Sequence, residues 1–172
     1  WQPSYKVEYT YDINGNNTLI LNLNWNNVTN NWNVQSQRQY TYDLNNNMVL
    51  NEYYFWQSNS WNPSSKYEYA YDINNNIILV ANYGWDGIAW VLGTKFEYTY
   101  DVNNNMLSMI YSSTSGTNVL TPIYKNEYTY DANNNQLTQK NYSWDSATNS
   151  YTPTSFNEFF YDTSNNQILW NI

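Results

Sequence analysis

The chain has 172 residues, of which 41% are hydrophobic, 20% aromatic and 12% charged, and its formal net charge is -8. This length suits one domain, and a chain so rich in aromatic residues and so poor in charge is not expected to be disordered. It contains no histidine and no cysteine, which excludes disulfides, Cys/His metal sites and histidine-activated nucleophiles. Because only six residues are basic, neither nucleic acid nor an anionic membrane is an expected partner.

The dipeptide Tyr-Asp recurs through the chain at intervals of 29 to 31 residues. Its six positions are Tyr11-Asp12, Tyr42-Asp43, Tyr71-Asp72, Tyr100-Asp101, Tyr130-Asp131 and Tyr161-Asp162. Relative to each Asp, Glu stands four residues earlier in five copies, and Lys stands six residues earlier in four. All four prolines stand nine residues before an Asp. The sequence therefore predicts one repeat domain, residues 1–172, made of six units of about 30 residues.

The first predicted element of each unit is a strand that leads to Tyr-Asp. In the third copy, alternation with period two places Trp61, Pro63 and Tyr67 on one face. The same alternation places Lys66 and Glu68 on the opposite face, where they are expected to form a solvated charge lattice. Tyr, Trp and Thr are also favoured in strands, which supports the assignment.

A hairpin turn and a second strand follow. The Asn cluster after each Asp predicts the turn, because Asn tolerates left-handed backbone and bonds its own main chain; Asn14-Gly15 is the strongest such signal. The second strand runs from Leu19 to Trp25 in the first copy and ends at another turn. Aromatic residues bracket these second turns, as Trp56 and Trp61 do, which predicts a cross-strand pair that closes a hairpin.

Six such units predict an all-β protein with about twelve short strands and no helix. Two architectures fit: a twisted antiparallel β-meander, and a β-solenoid in which each unit is one rung stacked on the last. A solenoid would place Lys66 over Lys95 at about 4.8 Å, and like charges directly opposite are destabilising. The sequence therefore favours the meander.

The Tyr-x-Tyr-Asp core with its following turn resembles the YD repeats of Rhs-type toxins, teneurins and bacterial wall-associated proteins. Segments such as Tyr98–Asn105 and Trp85–Trp90 resemble more closely the long, Trp-containing variants in secreted and surface proteins of Bacteroidetes. This chain departs from the family because the usual Gly-Arg after Tyr-Asp is missing and the period is longer. The resemblance implies a strip of hairpins and an extracellular, structural role.

The carboxylates predict neither a calcium site nor a catalytic pair. Stretches such as Asp12-Ile13-Asn14-Gly15-Asn16 resemble the start of a calcium loop, but a Gly at the sixth position and a Glu at the twelfth are absent. An Asx-stabilised turn explains the same residues, so no metal or cofactor is expected. A glycosidase needs a unique carboxylate pair, whereas most carboxylates here occupy repeat positions, so no catalytic residue and no enzymatic activity are expected.

Exposed aromatic arrays can stack on sugar rings, which makes a carbohydrate-binding surface adhesin the alternative function, with glycans as possible partners. Burial of the aromatic face by the curling sheet, a second layer or a neighbouring subunit is the competing interpretation. In addition, Asp145-Ser146-Ala147 resembles a short O-glycosylation motif of secreted Bacteroidetes proteins, which marks Ser146 as a possible glycosylation site.

The two ends of the chain match complementary halves of one unit, so the sequence begins and ends within a repeat. We expect the last strand of one copy to pair with the first strand of the next. The residues of this expected interface are Tyr5, Val7, Tyr9, Tyr11, Ile168, Leu169, Trp170 and Ile172. Unprotected strand edges template association, and head-to-tail contacts that do not close form filaments. The sequence therefore predicts a secreted or cell-surface structural protein that assembles with itself into a fibre or matrix, without membrane insertion.

Overall fold

The structure, a computed structural model, describes residues 4–114 and 119–171. Within these residues the chain forms twelve β-strands and no helix. The strands are β1 (Tyr5–Tyr11), β2 (Asn17–Asn26), β3 (Asn31–Tyr42), β4 (Met48–Gln57), β5 (Ser60–Tyr71), β6 (Ile77–Trp85), β7 (Trp90–Tyr100), β8 (Met106–Ser113), β9 (Thr121–Tyr130), β10 (Gln136–Asp145), β11 (Ser150–Tyr161) and β12 (Gln167–Asn171). In these two described ranges, no helix is long and apolar enough to cross a membrane.

The strands form one open sheet in which sequence order and spatial order are the same, from β1 to β12. Neighbouring strands pair antiparallel, as β1 with β2 and β10 with β11 show. The predicted antiparallel meander is therefore confirmed, and the parallel rungs of the solenoid alternative are not formed. By their contacts the described residues group into two compact units. The first comprises residues up to Tyr69 with Asn82–Val91, and the second comprises Ala70–Ala81 with residues from Leu92 onward.

In the first unit, a β-bulge interrupts the strands that lead to Tyr-Asp. In β5, Ser65 pairs with Tyr53 and Pro63 pairs with Tyr54, which leaves Ser64 without a partner residue. A similar shift in β3 leaves out Gln35, which stands at the same repeat position as Ser64. Proline lacks an N–H and so fits in a sheet only at edges or bulges, which accounts for Pro63 beside the unpaired residue.

This bulge corrects the predicted division of side chains between the two faces. Because Tyr54 and Glu52 share a face of β4, their partners Pro63 and Lys66 also share one. Trp61 and Pro63 therefore lie on the face of Lys66, and not on the face of Tyr67 as simple alternation predicts. The prediction failed because period-two alternation holds only while no extra residue enters the strand.

The second unit repeats the same design. The residues left unpaired there are Ile123 in β9 and Thr154 in β11, each directly after a proline, Pro122 or Pro153. A second kind of bulge lies near the Asn clusters, because the sixth residue after Asp is also unpaired, as Leu107 and Leu137 show. Bulges increase the local twist of a sheet, and these recur in successive hairpins.

Few side chains are buried, because all twelve strands belong to one sheet and no second layer covers either face within the described residues. Among those residues only Leu23, Gln37, Ala81 and Ser112 are buried. Most strand side chains are half-buried by neighbours on the same face. Cross-strand pairs between side chains, and not a central core, therefore hold the sheet together.

Candidate functional site

Six turns with nearly identical geometry begin at the Asp of each Tyr-Asp pair, and we call them the Asp–Asn turns. In the fourth, Asp101 Oδ1 accepts hydrogen bonds from the main-chain N–H of Asn103 at 2.8 Å and of Asn105 at 2.9 Å. Asp101 Oδ2 accepts a third bond, at 3.0 Å, from the Asn105 side-chain amide. Asn104 has φ of 67°, in the left-handed region that Asn and Gly tolerate. The predicted Asx-stabilised turn is confirmed.

These bonds hold each turn carboxylate in its ionised form. The side-chain amide of Asn105 is the main cause that lowers the pKa of Asp101, and the backbone N–H groups add to it. The side-chain amide is also the main cause that lowers the pKa values of Asp12, Asp72, Asp131 and Asp162, whereas the backbone N–H of Asn47 is the main cause at Asp43. N–H groups therefore engage both oxygens of the turn carboxylate, as Asp101 shows, which is the arrangement of an Asx-stabilised turn.

Side-chain amides also join neighbouring Asp–Asn turns, and no local sequence pattern predicts these contacts. In the first unit, Asn16 Nδ2 donates to Asn46 Oδ1 at 2.9 Å. In the second unit, Asn76 donates to Asn104 at 2.7 Å, and Asn105 donates to Asn134 at 2.8 Å. We call this the amide ladder. The position that accepts is the left-handed Asn of each turn, where the first turn has Gly15 instead.

Four turns of the other set, those after β2, β4, β6 and β10, are closed by aromatic pairs, and we call these the aromatic turns. The pairs are Trp25–Trp32, Trp56–Trp61, Trp85–Trp90 and Trp144–Tyr151, with ring centroids 4.9 to 5.3 Å apart and interplanar angles of 71° to 73°. This edge-to-face geometry is one of the two favourable arrangements for a pair of aromatic rings. The predicted cross-strand pairing of the bracketing aromatics is confirmed.

The bulge places Trp61 on the face of Lys66, so charged groups and aromatic rings meet on that face. Lys66 Nζ lies 2.5 Å from Glu68, and also 4.5 Å from the ring centre of Tyr83 and 5.5 Å from that of Trp90. The Lys66 ammonium is the main cause that lowers the pKa of Glu68, and a hydrogen bond with Tyr83 adds to it. The predicted Lys–Glu pairs are confirmed, whereas the contacts between lysine and aromatic rings were missed. The fixed position of the prolines was the signal for them, because it marks the bulge.

The expected assembly residues lie on the two outermost strands of the sheet. Tyr5, Val7, Tyr9 and Tyr11 lie on β1, while Ile168, Leu169 and Trp170 lie on β12; Ile172 is outside the described residues. Tyr5, Tyr9 and Tyr11 are 55 to 59% exposed, and the three β12 residues are 53 to 65% exposed. Each of these strands pairs along one side only within the described residues. The structure therefore places the two halves of the expected interface at opposite edges of the sheet.

A shallow, open cavity of about 400 Å³ lies on β10 and β11 in the second unit. It is lined by Lys140, Tyr142, Pro153, Thr154, Ser155 and Phe156, and Phe156 is 40% exposed. Ser146, the possible glycosylation site, is exposed in an aromatic turn in which Asp145 Oδ1 accepts a bond from Ala147 N–H at 2.9 Å. Both the glycan partner and the glycosylation of Ser146 stay predictions.

No protein-family model matches this chain, and no curated protein matches it. Solved structures with a similar fold include TcdB2-TccC3-TEV, at 15% identity and TM-score 0.57 over 90% of this chain, and TcdB2-TccC3, at 14% and 0.50 over 91%. The chain spans 7% and 9% of the length of these two structures. A DUF3836 family protein from Bacteroides vulgatus is 21% identical, with TM-score 0.43, over 53% of this chain and 91% of its own. At these identities the likeness to TcdB2-TccC3, which is of the Rhs/Tc toxin type, concerns the fold.

Proposed function

We propose that the chain is a structural protein, a subunit of an extracellular fibre or matrix that grows by head-to-tail addition of β-strands. The observation that carries this proposal is the pair of open edges at β1 and β12, which belong to opposite ends of one meander. Within the described residues, the outer side of each edge strand pairs with no other strand, and half-exposed aromatic and aliphatic side chains lie along it. Such edges template the addition of another strand unless they are blocked.

A constant register between successive repeats supports the proposal. Wherever the structure describes the pairing of one repeat with the next, the seventh residue after an Asp lies opposite the fourth residue before the next Asp. The pairs are Leu19 with Gln39, Leu50 with Glu68, Ser108 with Glu127 and Thr138 with Glu158. The same rule, applied between two copies, sets Leu169 opposite Glu8 and Trp170 opposite Val7.

The faces of the two edge strands are compatible with this joint. Leu169 pairs with Phe160, two residues from Glu158, and Glu8 shares its face with Lys6. The copy-to-copy contact would therefore continue the Lys–Glu face on one side of the sheet and the tyrosine face on the other. No residue would need to change sides, and a one-residue slip would reverse every side chain.

The location outside the cell, and the assignment to a variant of the YD repeats, are parts of the same proposal. Support comes from the Tyr-x-Tyr-Asp segments that end in Asp–Asn turns and from the fold shared with TcdB2-TccC3. Fibres built from edge strands need no catalytic group, which agrees with carboxylates that are engaged in turns and ion pairs.

The register supplies a direct test, because the chain has no cysteine of its own. The double variant Leu169→Cys, Glu8→Cys should give a ladder of disulfide-linked multimers on non-reducing gels after mild oxidation. In the matched control Leu169→Cys, Val7→Cys, the second thiol projects from the opposite face, so we expect no ladder. Monodisperse particles in negative-stain images at high concentration would contradict the proposal, as would assembly retained after deletion of residues 168–172.

A further inference from the structure

In four of the Tyr-Asp pairs, the tyrosine makes a hydrogen bond that joins its repeat to the preceding one. The hydroxyl donates to the main-chain carbonyl of the fifth residue after the preceding Asp. The bonds described are Tyr42 to Asn17 at 3.0 Å, Tyr100 to Ile77 at 3.0 Å, Tyr130 to Met106 at 2.9 Å and Tyr161 to Gln136 at 3.0 Å. We call these bonds the tyrosine stitches.

The geometry of the sheet explains why a side chain is needed there. The backbone pairing between β2 and β3 ends at Leu19 and Gln39, so the carbonyl of Asn17 lies beyond the end of the ladder. A main-chain carbonyl that loses contact with water needs another donor, and the Tyr42 hydroxyl supplies it. Burial raises the pKa values of Tyr42, Tyr100 and Tyr130, as expected for hydroxyls that leave water to make these bonds.

Tyr11 occupies the same repeat position in β1, the edge strand, but it makes no stitch. Within residues 4–114 and 119–171 no carbonyl accepts a bond from its hydroxyl, its side chain is 58% exposed, and its ring stacks on Tyr9 at 6.5 Å. The corresponding acceptor at the other edge is the carbonyl of Gln167, the fifth residue after Asp162. Gln167 lies opposite Tyr161 in β12, as Asn17 lies opposite Tyr11 in β2.

The amide ladder behaves differently at the same two edges. Asn166 Nδ2 donates to its own Asp162, at 3.0 and 3.3 Å, and to no following turn within the described residues. In a second copy the next accepting position would be that of residue 15, where Gly15 has no side-chain oxygen. A joint between copies can thus complete the tyrosine stitch but leaves the amide ladder open.

We propose that the Tyr11 hydroxyl of one copy donates to the Gln167 carbonyl of a second copy, and that Gly15 makes this joint weaker than the junctions inside the chain. This inference rests on the head-to-tail assembly proposed above and names the contacts that specify it. The partner surface is thereby defined as a second copy of this chain, presented at β12 in the register of Leu169 opposite Glu8.

The test compares two Tyr→Phe variants at the same repeat position. Tyr11→Phe removes only the hydroxyl at the joint, and we expect the dissociation constant between subunits to rise about 3- to 10-fold, the range for one hydrogen bond. Tyr130→Phe removes a stitch inside the chain, so it should lower the melting temperature and leave the dissociation constant unchanged. Gly15→Asn supplies the missing acceptor and should tighten association about 3- to 10-fold. Sedimentation velocity over a concentration series measures the dissociation constants of the three variants, and a thermal melt measures the melting temperature of Tyr130→Phe.

The possible failures are distinguishable. If the wild type stays monomeric and the Leu169→Cys, Glu8→Cys variant forms no ladder, the proposed function is wrong and this inference with it. If the wild type assembles and cross-links but Tyr11→Phe associates as tightly as the wild type, only this inference is wrong. Equal weakening by Tyr11→Phe and Tyr130→Phe would also overturn it, because the effect would then come from general loss of stability.

Discussion

The Asp–Asn turns and the aromatic turns solve the same problem, the reversal of a strand, by different physical means. Every Asp–Asn turn has one length, one left-handed residue and the same three bonds to its carboxylate. The aromatic turns vary: two residues separate Gln57 from Ser60, whereas four separate Asn26 from Asn31. What the aromatic turns share is the ring pair outside the loop.

The difference shows which turns require particular residues and a fixed length. In an Asp–Asn turn the stabilising groups are within the loop, so an inserted residue would misplace the acceptor, its donors and the left-handed position together. In an aromatic turn the two rings that form the stabilising contact stand before and after the loop. The loop can therefore change length, at the small entropic cost of closing a longer loop. Each Asp–Asn turn also bonds to neighbouring Asp–Asn turns through the amide ladder, which requires that the turns share one geometry.

Acid should affect the Asp–Asn turns more than any other part of the molecule, because six carboxylates respond together. Their folded pKa values lie below the unfolded value of about 3.9, so their contribution to stability is present above that value and is lost as the pH falls from it through the folded pKa values. We expect the melting temperature, followed by circular dichroism, to be nearly constant from about pH 7 to 5 and to fall steeply below about pH 4.

A matched variant separates these turns from the other carboxylates with lowered pKa. Glu68→Gln, Asp86→Asn, Glu127→Gln and Asp145→Asn together remove those groups and leave all six Asp–Asn turns intact. This variant should keep most of the acid transition. If it loses the transition, the ion pairs and aromatic turns, and not the Asp–Asn turns, carry the acid sensitivity.

Removal of one ring from an aromatic turn should produce the largest effect of a single substitution. Trp56→Ala removes the edge-to-face contact with Trp61 at 5.0 Å. We expect a loss of about 2–3 kcal/mol in the free energy of unfolding, less than the 3–5 kcal/mol of a fully buried aromatic, because Trp56 is 37% exposed. Urea denaturation measures it. Trp56→Phe keeps a ring and should cost less than half as much; equal costs would mean that the ring pair is not the stabilising contact.

Much of this architecture follows from the sequence, and the exceptions have two physical causes. Tyr-Asp spacing, strand alternation and Asn clusters predicted the strands, both sets of turns and the meander, because each depends on residues close in sequence. The faces of Trp61 and Pro63 were assigned wrongly, because the bulge at Ser64 changes the alternation without changing the composition. The tyrosine stitches and the amide ladder join residues about 25 to 30 positions apart, such as Tyr42 with Asn17, so no local pattern contains them.

The smallest change in the free energy of unfolding is expected at Asn104. Substitutions there separate the contribution of the ladder bond from that of the left-handed backbone. Its side chain accepts the ladder bond from Asn76 at 2.7 Å, and its backbone has φ of 67°. Asn104→Gly removes the acceptor but suits the left-handed backbone, so we expect a loss of about 0.5–1 kcal/mol from the missing bond.

Asn104→Ala removes the same acceptor and keeps a Cβ in the left-handed region without the short polar side chain that lets Asn tolerate it, which adds about 1 kcal/mol. Urea denaturation of both variants measures these losses, provided that the free energy of unfolding depends on urea concentration with the same slope in each. The Gly variant gives the contribution of the ladder bond, and the difference between the two variants gives the conformational contribution. If Gly at this position costs nothing while Ala costs about 1 kcal/mol, the turns need Asn only for its backbone tolerance. The amide ladder would then be a consequence of the repeated turn geometry and not a source of stability.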